Sequence, residues 1–318
     1  MGGYVFYDTS TDRYAVLGKY LPDGTAVWEK YDTTDGLEIL NIGMDSSDNL
    51  YVLLSKTSGS PDTAAIVKLS ASTGSSIWGK KISNLYNGDD SRMAVSPDGS
   101  TYLSILWHPD GYESTSKFDS SGNLLWQKDI FGDVYSDYDN NAYVVRNNAI
   151  TRLDSDGDTA WKIQVSGLSI QNIRFDSDNN VYVSGDVSET DLGYLAKFNS
   201  SGTLQWQRNL YVNRVSNNTK TPFTSVVGCD NYGGIYVAGG AGLIKLPSDG
   251  SKTQSSRFVT DSVAYTLVYT PSSYTHTLTG SEANGDITVA VTSESYTAVD
   301  FDFNTQERSN SITNYLYI

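Results

Sequence analysis

The chain has 318 residues, a formal net charge of -15 and an isoelectric point near 4.4. An acidic balance of that size gives no attraction to a nucleic-acid backbone or to an anionic membrane surface, so neither nucleic-acid binding nor membrane insertion is expected. A single cysteine, Cys229, excludes an intrachain disulfide framework, and two histidines, His108 and His276, exclude a zinc site built on a His/Cys cluster.

The opening run, Met1 to Tyr7, carries neither a basic nor an apolar signal region, so no secretory signal is expected. From there the chain repeats itself. A Gly is followed four residues later by a Trp at Gly24/Trp28, Gly74/Trp78, Gly122/Trp126, Gly157/Trp161 and Gly202/Trp206. A basic residue precedes each Gly: Lys19, Lys68, Lys117, Arg152 and Lys197, with Lys245 continuing the series, at steps of 49, 49, 35, 45 and 48 residues. That period fits one four-stranded antiparallel blade per repeat.

Within each repeat an acidic turn leads into Tyr-Val or Tyr-Leu: Asp45 to Tyr51, Asp98 to Tyr102, Asp137 to Tyr143, Asp176 to Tyr182 and Asp230 to Tyr236. Alternating Tyr, Val and small residues between Asp/Asn/Gly clusters signal short strands joined by tight hairpins. This is strand B. Strand C carries the basic residue, as in Ala65 to Leu69, and strand D carries the Trp, as in Leu124 to Lys128. Strand A is expected ahead of the acidic turn, at Glu38 to Met44, Met93 to Val95, Ile170 to Phe175 and Thr224 to Val227. No window shows helical periodicity.

After Lys245 the pattern decays, but Asn284 to Val289 still resembles a turn into strand B, and Ala298 to Phe301 resembles strand C. The expected fold is therefore all-β: a single domain over 1–318, a seven-bladed β-propeller. Gly2 to Val5 resembles Gly233 to Val237, so the first blade begins at its strand B. Ile312 to Ile318 is expected to pair beside Tyr4 to Tyr7, closing the ring and removing two sheet edges.

Trp28, Trp78, Trp126, Trp161 and Trp206 are expected to dock blade on blade, each indole N–H reaching the carbonyl of an adjacent turn. The strand C basic residues are expected to form surface pairs with turn carboxylates such as Asp154 or Asp119, worth about 0–1 kcal/mol each.

The Gly-x-x-x-Trp turn, clearest in Leu69 to Trp78, resembles the tryptophan-docking repeat of pyrroloquinoline-quinone-type propellers. The Asp-x-x-Asn-x-Tyr-Val turn, as in Asp176 to Val183, is similar to the repeats of bacterial extracellular propellers of the SBBP and NHL kind. Both resemblances cover the chain loosely and imply a fold, not an activity. The quinone enzymes are usually longer and eight-bladed, with an adjacent-cysteine disulfide and a calcium-bound catalytic Asp. Cys229 alone cannot form that disulfide, so no cofactor is expected.

Other chemistry is thinly represented. Asp154-Ser155-Asp156-Gly157-Asp158 alternates carboxylates as calcium loops do, but its Gly falls at the fourth place and Val165 stands where a Glu is needed. Turn formation explains it, and no metal is expected. His108 lies near Asp110 without a Gly-x-Ser-x-Gly elbow, so no catalytic residue is assigned. Recognition is expected on the longer B–C and D–A connections, including Leu210 to Pro222 and Val259 to Tyr274. The candidate binding residues there are Tyr86, Asn87, Trp107, His108, Tyr112, Tyr211 and Arg214.

Twenty-three tyrosines with abundant Ser, Asn and Gly resemble the make-up of virion proteins. The leading expectation is a non-enzymatic, virion-associated propeller at a tail fibre, baseplate or capsid surface, binding another virion protein or a host surface glycan; a homo-oligomer would fit virion symmetry. The alternatives are an extracellular or cell-surface bacterial adhesin or scaffold, and a polysaccharide hydrolase or lyase using loop carboxylates.

Overall fold

The computed structural model describes residues 2–6, 13–31, 37–56, 62–85, 91–106, 113–165, 167–187, 192–214, 219–230, 233–239, 242–249, 256–260, 263–271 and 276–279. These residues are all-β and form five antiparallel sheets, two of them four-stranded in simple up-and-down order and the others of three, five and nine strands. They divide between two compact units, one ending at Ser91 and one starting at Arg92.

The first unit holds two sheets. One contains β1 (Gly2–Phe6), β2 (Arg13–Tyr20) and β3 (Ala26–Tyr31). The other contains β4 (Leu37–Met44), β5 (Leu50–Lys56), β6 (Asp62–Leu69) and β7 (Ser76–Leu85). Leu17 of the first packs with Val52, Leu54, Val67 and Leu69 of the second.

The second unit continues the series. Its first sheet is β8 (Arg92–Val95), β9 (Thr101–Leu106), β10 (Glu113–Phe118) and β11 (Leu124–Lys128). The next is β12 (Asp133–Ser136), β13 (Ala142–Arg146), β14 (Ala149–Leu153) and β15 (Thr159–Val165). Then come β16 (Leu168–Phe175), β17 (Val181–Val187), β18 (Gly193–Phe198) and β19 (Leu204–Arg214). Last in the series are β20 (Thr219–Cys229), β21 (Gly234–Gly239) and β22 (Gly242–Pro247).

Neighbouring sheets of this unit stack face to face. Tyr143, Ile150, Trp161 and Ile163 of one sheet share a core with Ile173, Val183, Tyr194 and Phe198 of the next. A sheet packed on both faces needs apolar residues at both alternating positions, which is why β17 is buried almost without interruption. First strands lie beside first strands, β8 by β12 and β16 by β20, and so form one edge of the stack, here called the inner edge.

Cross-strand register explains the spacing of the repeat. Each strand C basic residue lies directly opposite the Trp of strand D: Lys68↔Trp78, Lys117↔Trp126, Arg152↔Trp161 and Lys197↔Trp206. A one-residue bulge follows each of these pairs and leads into the turn. On its other side the same basic residue faces the strand B tyrosine, as in Tyr182↔Lys197.

Both tight turns of a repeat share one geometry. Asp154 N–H bonds to Asp158 O at 2.9 Å and Gly157 N–H returns to Asp154 O at 3.2 Å; Asp176, Asn179 and Asn180 repeat the pattern. The fourth residue is left-handed in both, with φ of 84° at Gly157 and 57° at Asn179. At Gly157 a second constraint applies, because a Cβ there would lie 2.8 Å from Trp126 Cδ2 and 2.9 Å from Lys128 Cγ. Gly157→Ala is expected to lose about 1–2 kcal/mol to the backbone and about 1–3 kcal/mol to the displaced indole. Urea denaturation checks this; a loss below about 0.5 kcal/mol, the range of an unconstrained surface change, contradicts it.

The sequence reading needs four corrections. Leu210 to Pro222, expected as a loop, is largely strand: Tyr211 to Arg214 of β19 pair with Thr219 to Pro222 of β20. Of Val259 to Tyr274, likewise expected as a loop, the described residues are strand: β23 (Ser256–Thr260) and β24 (Val263–Pro271) pair with each other, and β24 pairs with Arg208 to Arg214 of β19. Farther on, β25 (His276–Thr279) pairs with Lys162 to Val165 of β15. The physical reason is shared: Val, Tyr and Thr favour strands, and the outer edges of β15 and β19 offer unpaired backbone groups. The third correction is β12, whose four residues Asp-Val-Tyr-Ser carry too little periodicity to be recognised. The fourth concerns the ion pairs described below. Asn284 to Phe301 and the closing strand Ile312 to Ile318 lie outside the described residues, and among those described no sheet closes on itself.

Candidate functional site

Two sets of side chains have organised polar chemistry, one inside each repeat and one along the inner edge. The first is built on the A–B turn. Asp176 Oδ1 accepts the backbone N–H groups of Asp178 and Asn180 at 3.1 and 2.9 Å. Its Oδ2 accepts the Tyr182 hydroxyl at 3.1 Å and meets Lys197 Nζ at 3.3 Å. Asp45 repeats this with Ser47, Asn49, Tyr51 and, at 3.2 Å, Lys68. Asp137 binds Asn141 and Tyr143 in the same way, and Asp230 binds Gly234, Tyr236 and Lys245.

The pairs at Asp45 and Asp176 are not the surface pairs expected from sequence, whereas Lys245, 52% exposed, does form a surface pair with Asp230. The Lys68 and Asp45 side chains are only 11% and 6% exposed. Asp119 and Asp154, the partners expected for strand C, instead accept N–H groups of their own turns. In the third repeat Ser96, not Asp98, opens the turn, and the Tyr102 hydroxyl donates to Asn140 O at 2.6 Å.

Burial alone would raise the carboxyl pKa values of Asp45 and Asp176, but hydrogen bonds from Asn49 or Asn180 and the adjacent lysine hold both below the ordinary value. Each carboxylate is thus fixed, charged and surrounded by donors. That arrangement fastens the hairpin to strands B and C; it does not poise a proton for transfer.

The indoles extend the fastening between sheets. Trp126 Nε1 donates to Ser155 O at 2.8 Å, Trp161 Nε1 to Ser200 O at 3.1 Å and Trp206 Nε1 to Ser248 O at 3.1 Å, in each case to the C–D turn of the following repeat. In the first unit Trp28 Nε1 donates to Ala71 O at 3.2 Å. Trp78 packs edge-on against Tyr51, with centroids 5.8 Å apart.

The second set lies on the first strands. Arg92 of β8 binds Asp133 of β12 at 3.1 Å. Arg174 of β16 lies over the ring of Tyr135 of β12, its Cζ 6.0 Å from the centroid. Its Nε donates to Val227 O of β20 at 3.3 Å, and its Nη1 donates to Ile173 O at 2.8 Å and to Asn172 Oδ1. Burial and the Asp133 charge push the Tyr135 hydroxyl up to about 12, so it remains a donor at neutral pH. Strand alternation aims these residues: Ile173 and Phe175 enter the core and Arg174, between them, turns away from it. Sequence reasoning missed the group, and the one signal available was an arginine set between two core residues of a first strand.

Of the residues expected to bind, Tyr211 and Arg214 lie on β19 and not in a loop, with Lys220 Nζ 5.2 Å from the Tyr211 ring centroid. Tyr86, Asn87, Trp107, His108 and Tyr112 lie outside the described residues. The geometry does not bring Tyr211 into the inner-edge group. Burial pushes the Cys229 thiol up to about 12, which leaves it a poor nucleophile. Among the described residues no group of three or more His, Cys, Asp or Glu is placed to hold a metal, and no helix is long and apolar enough to cross a membrane.

Comparison with known proteins bears on this architecture. Residues 62–288 match the family described as outer membrane protein assembly factor BamB. The chain belongs to that family. Its Trp-anchored sheets are therefore repeats of the BamB-family, β-propeller type. A comparison with curated proteins yields no significant match.

Among solved structures, the chain is similar to a protein of unknown function from Bacteroides caccae, at 13% identity and a TM-score of 0.44, covering 77% of this chain and 89% of that one. It is also similar to an uncharacterised protein of Listeria monocytogenes EGD-e, at 9% identity and a TM-score of 0.46, covering 79% and 78%. A third similarity, to a prolyl endopeptidase, has 7% identity and a TM-score of 0.42 and covers 88% of this chain but only 48% of the enzyme.

Proposed function

We propose that the protein is a non-enzymatic assembly scaffold: a seven-bladed propeller, its ring completed by Ile312 to Ile318 beside Tyr4 to Tyr7, that holds a partner in a larger structure. The observation that carries this reading is the use made of the acidic residues. Asp45, Asp137, Asp176 and Asp230, the groups best placed for acid–base work, are each bound to their own turn, a tyrosine and, at three of the four, a lysine. The polar groups of the inner edge, Arg92, Asp133 and Arg174 among them, are instead turned away from the core. The family's description as an assembly factor supports the same reading.

Two settings fit such a scaffold. Abundant Tyr, Ser and Asn favour a virion surface, at a tail, baseplate or capsid, with a neighbouring virion protein or host glycan as partner. Family membership favours the second setting, an exported bacterial assembly.

Affinity capture with the full chain, cross-linked in a phage lysate and separately in a bacterial envelope fraction, tests the proposal. Stoichiometric recovery of structural proteins from one of the two supports the scaffold and identifies its setting. Turnover of a polysaccharide by the purified chain overturns it.

A further inference from the structure

Arg174 differs from the basic groups around it. In the same unit Arg92, Lys128, Lys197 and Lys245 each meet a carboxylate, at 3.1, 3.2, 3.3 and 2.6 Å. Among the described residues Arg174 is bound only by neutral acceptors, the carbonyls of Ile173 and Val227 and the amide of Asn172. Those contacts engage Nε and Nη1; Nη2, with two N–H groups, meets no acceptor among the described residues. The ring of Tyr135 lies beneath this guanidinium, and its hydroxyl has no described acceptor either. Asp133, the nearest carboxylate to act on Tyr135, is engaged by Arg92. A fixed cation and a phenol donor therefore stand together on the inner edge, with no carboxylate bonded to either among the described residues, in a chain of net charge -15.

The geometry points to a carboxylate-binding point formed by Arg174 Nη2 and the Tyr135 hydroxyl, taking an acidic side chain of a partner polypeptide. The two N–H groups of Nη2 offer charged donors to a carboxylate, and prior fixation of the guanidinium by Asn172, Ile173 and Val227 removes much of the ordering cost of binding. Contact with β12, β16 and β20 together gives this donor pair a defined direction. The inference rests on the scaffold reading only for the bearer of the carboxylate, a polypeptide.

Titration calorimetry of the full chain with hexaglutamate and with hexaglutamine tests it. Hexaglutamate is expected to bind, weakening as salt is raised, and hexaglutamine is not. Arg174→Gln is expected to lower hexaglutamate affinity at least about tenfold, and Tyr135→Phe about three- to tenfold. Tyr135→Phe keeps the ring under the guanidinium, so it remains informative if Arg174→Gln unfolds. Arg174→Lys retains charge but not the fixed Nη2 donors, and is expected to fall between wild type and Arg174→Gln. No binding of hexaglutamate, or binding unaffected by Tyr135→Phe and Arg174→Lys, overturns the site. Arg174-dependent binding of oligogalacturonate without binding of hexaglutamate overturns the polypeptide bearer. Either failure leaves the capture experiment, and with it the scaffold reading, independently decidable.

Discussion

Replacing Asp45 by Ala is expected to destabilise the protein by about 3–5 kcal/mol, because it strands a buried ammonium and several donors together. Lys68, 8% exposed, loses its counter-charge, and the Tyr51 hydroxyl and the N–H groups of Ser47 and Asn49 lose their acceptor. Water cannot replace the carboxylate well at a site this closed. Asp45→Asn separates charge from shape, since the amide oxygen still accepts the N–H groups of Ser47 and Asn49 but no longer balances Lys68.

The same comparison carries a pH signature. The folded Asp45 carboxyl titrates below its ordinary value of 3.8, so its contribution is complete above the unfolded value and is lost as pH falls through the lower, folded one. The stability difference between wild type and Asp45→Asn is therefore expected to be constant from neutral pH down to about 4 and to shrink below it. Chemical denaturation across that range provides the measurement. A difference that stays constant into strong acid shows that charge is not its source.

Trp161→Ala is expected to cost a further ~3–5 kcal/mol, by opening a cavity between two stacked sheets. The indole is 6% exposed, packs edge-on against Tyr143 at 5.7 Å, and shares its cluster with Ile173, Val183 and Phe198 of the next sheet. Trp161→Phe retains most of the apolar contact but removes the N–H bond to Ser200 O, with an expected cost of about 1–2 kcal/mol. Denaturant melts of the two variants give the comparison. Equal losses assign the effect to the hydrogen bond, whereas the expected ordering assigns it to packing between repeats. Because Trp161 fastens its sheet to the next, Trp161→Ala is also expected to reduce cooperativity, seen as a lower denaturant slope.

The repeat was legible in sequence because its signals are local. Gly157 and Asn179 mark left-handed turn positions that few other residue types adopt, and Trp161 follows its turn at a spacing set by one bulge. The basic residue was legible as a member of the period but not as half of a buried pair, since Lys197 and Asp176 lie on separate strands and only pairing of β17 with β18 brings them together. The hairpin of β23 and β24 was hidden for another reason. Its residues have clear strand propensity, but nothing local says that an outer edge of β19 is waiting for them.

Local rules therefore determined the all-β repeat, its turns and its tryptophan anchors, since each depends on residues within a few positions of one another. Tertiary structure alone decided which carboxylate meets which lysine, where the later strands attach, and that Arg174 lies over Tyr135 with two donors unclaimed. Those arrangements depend on stacking sheets whose residues are distant in the chain, and chain distance carries no record of which faces meet.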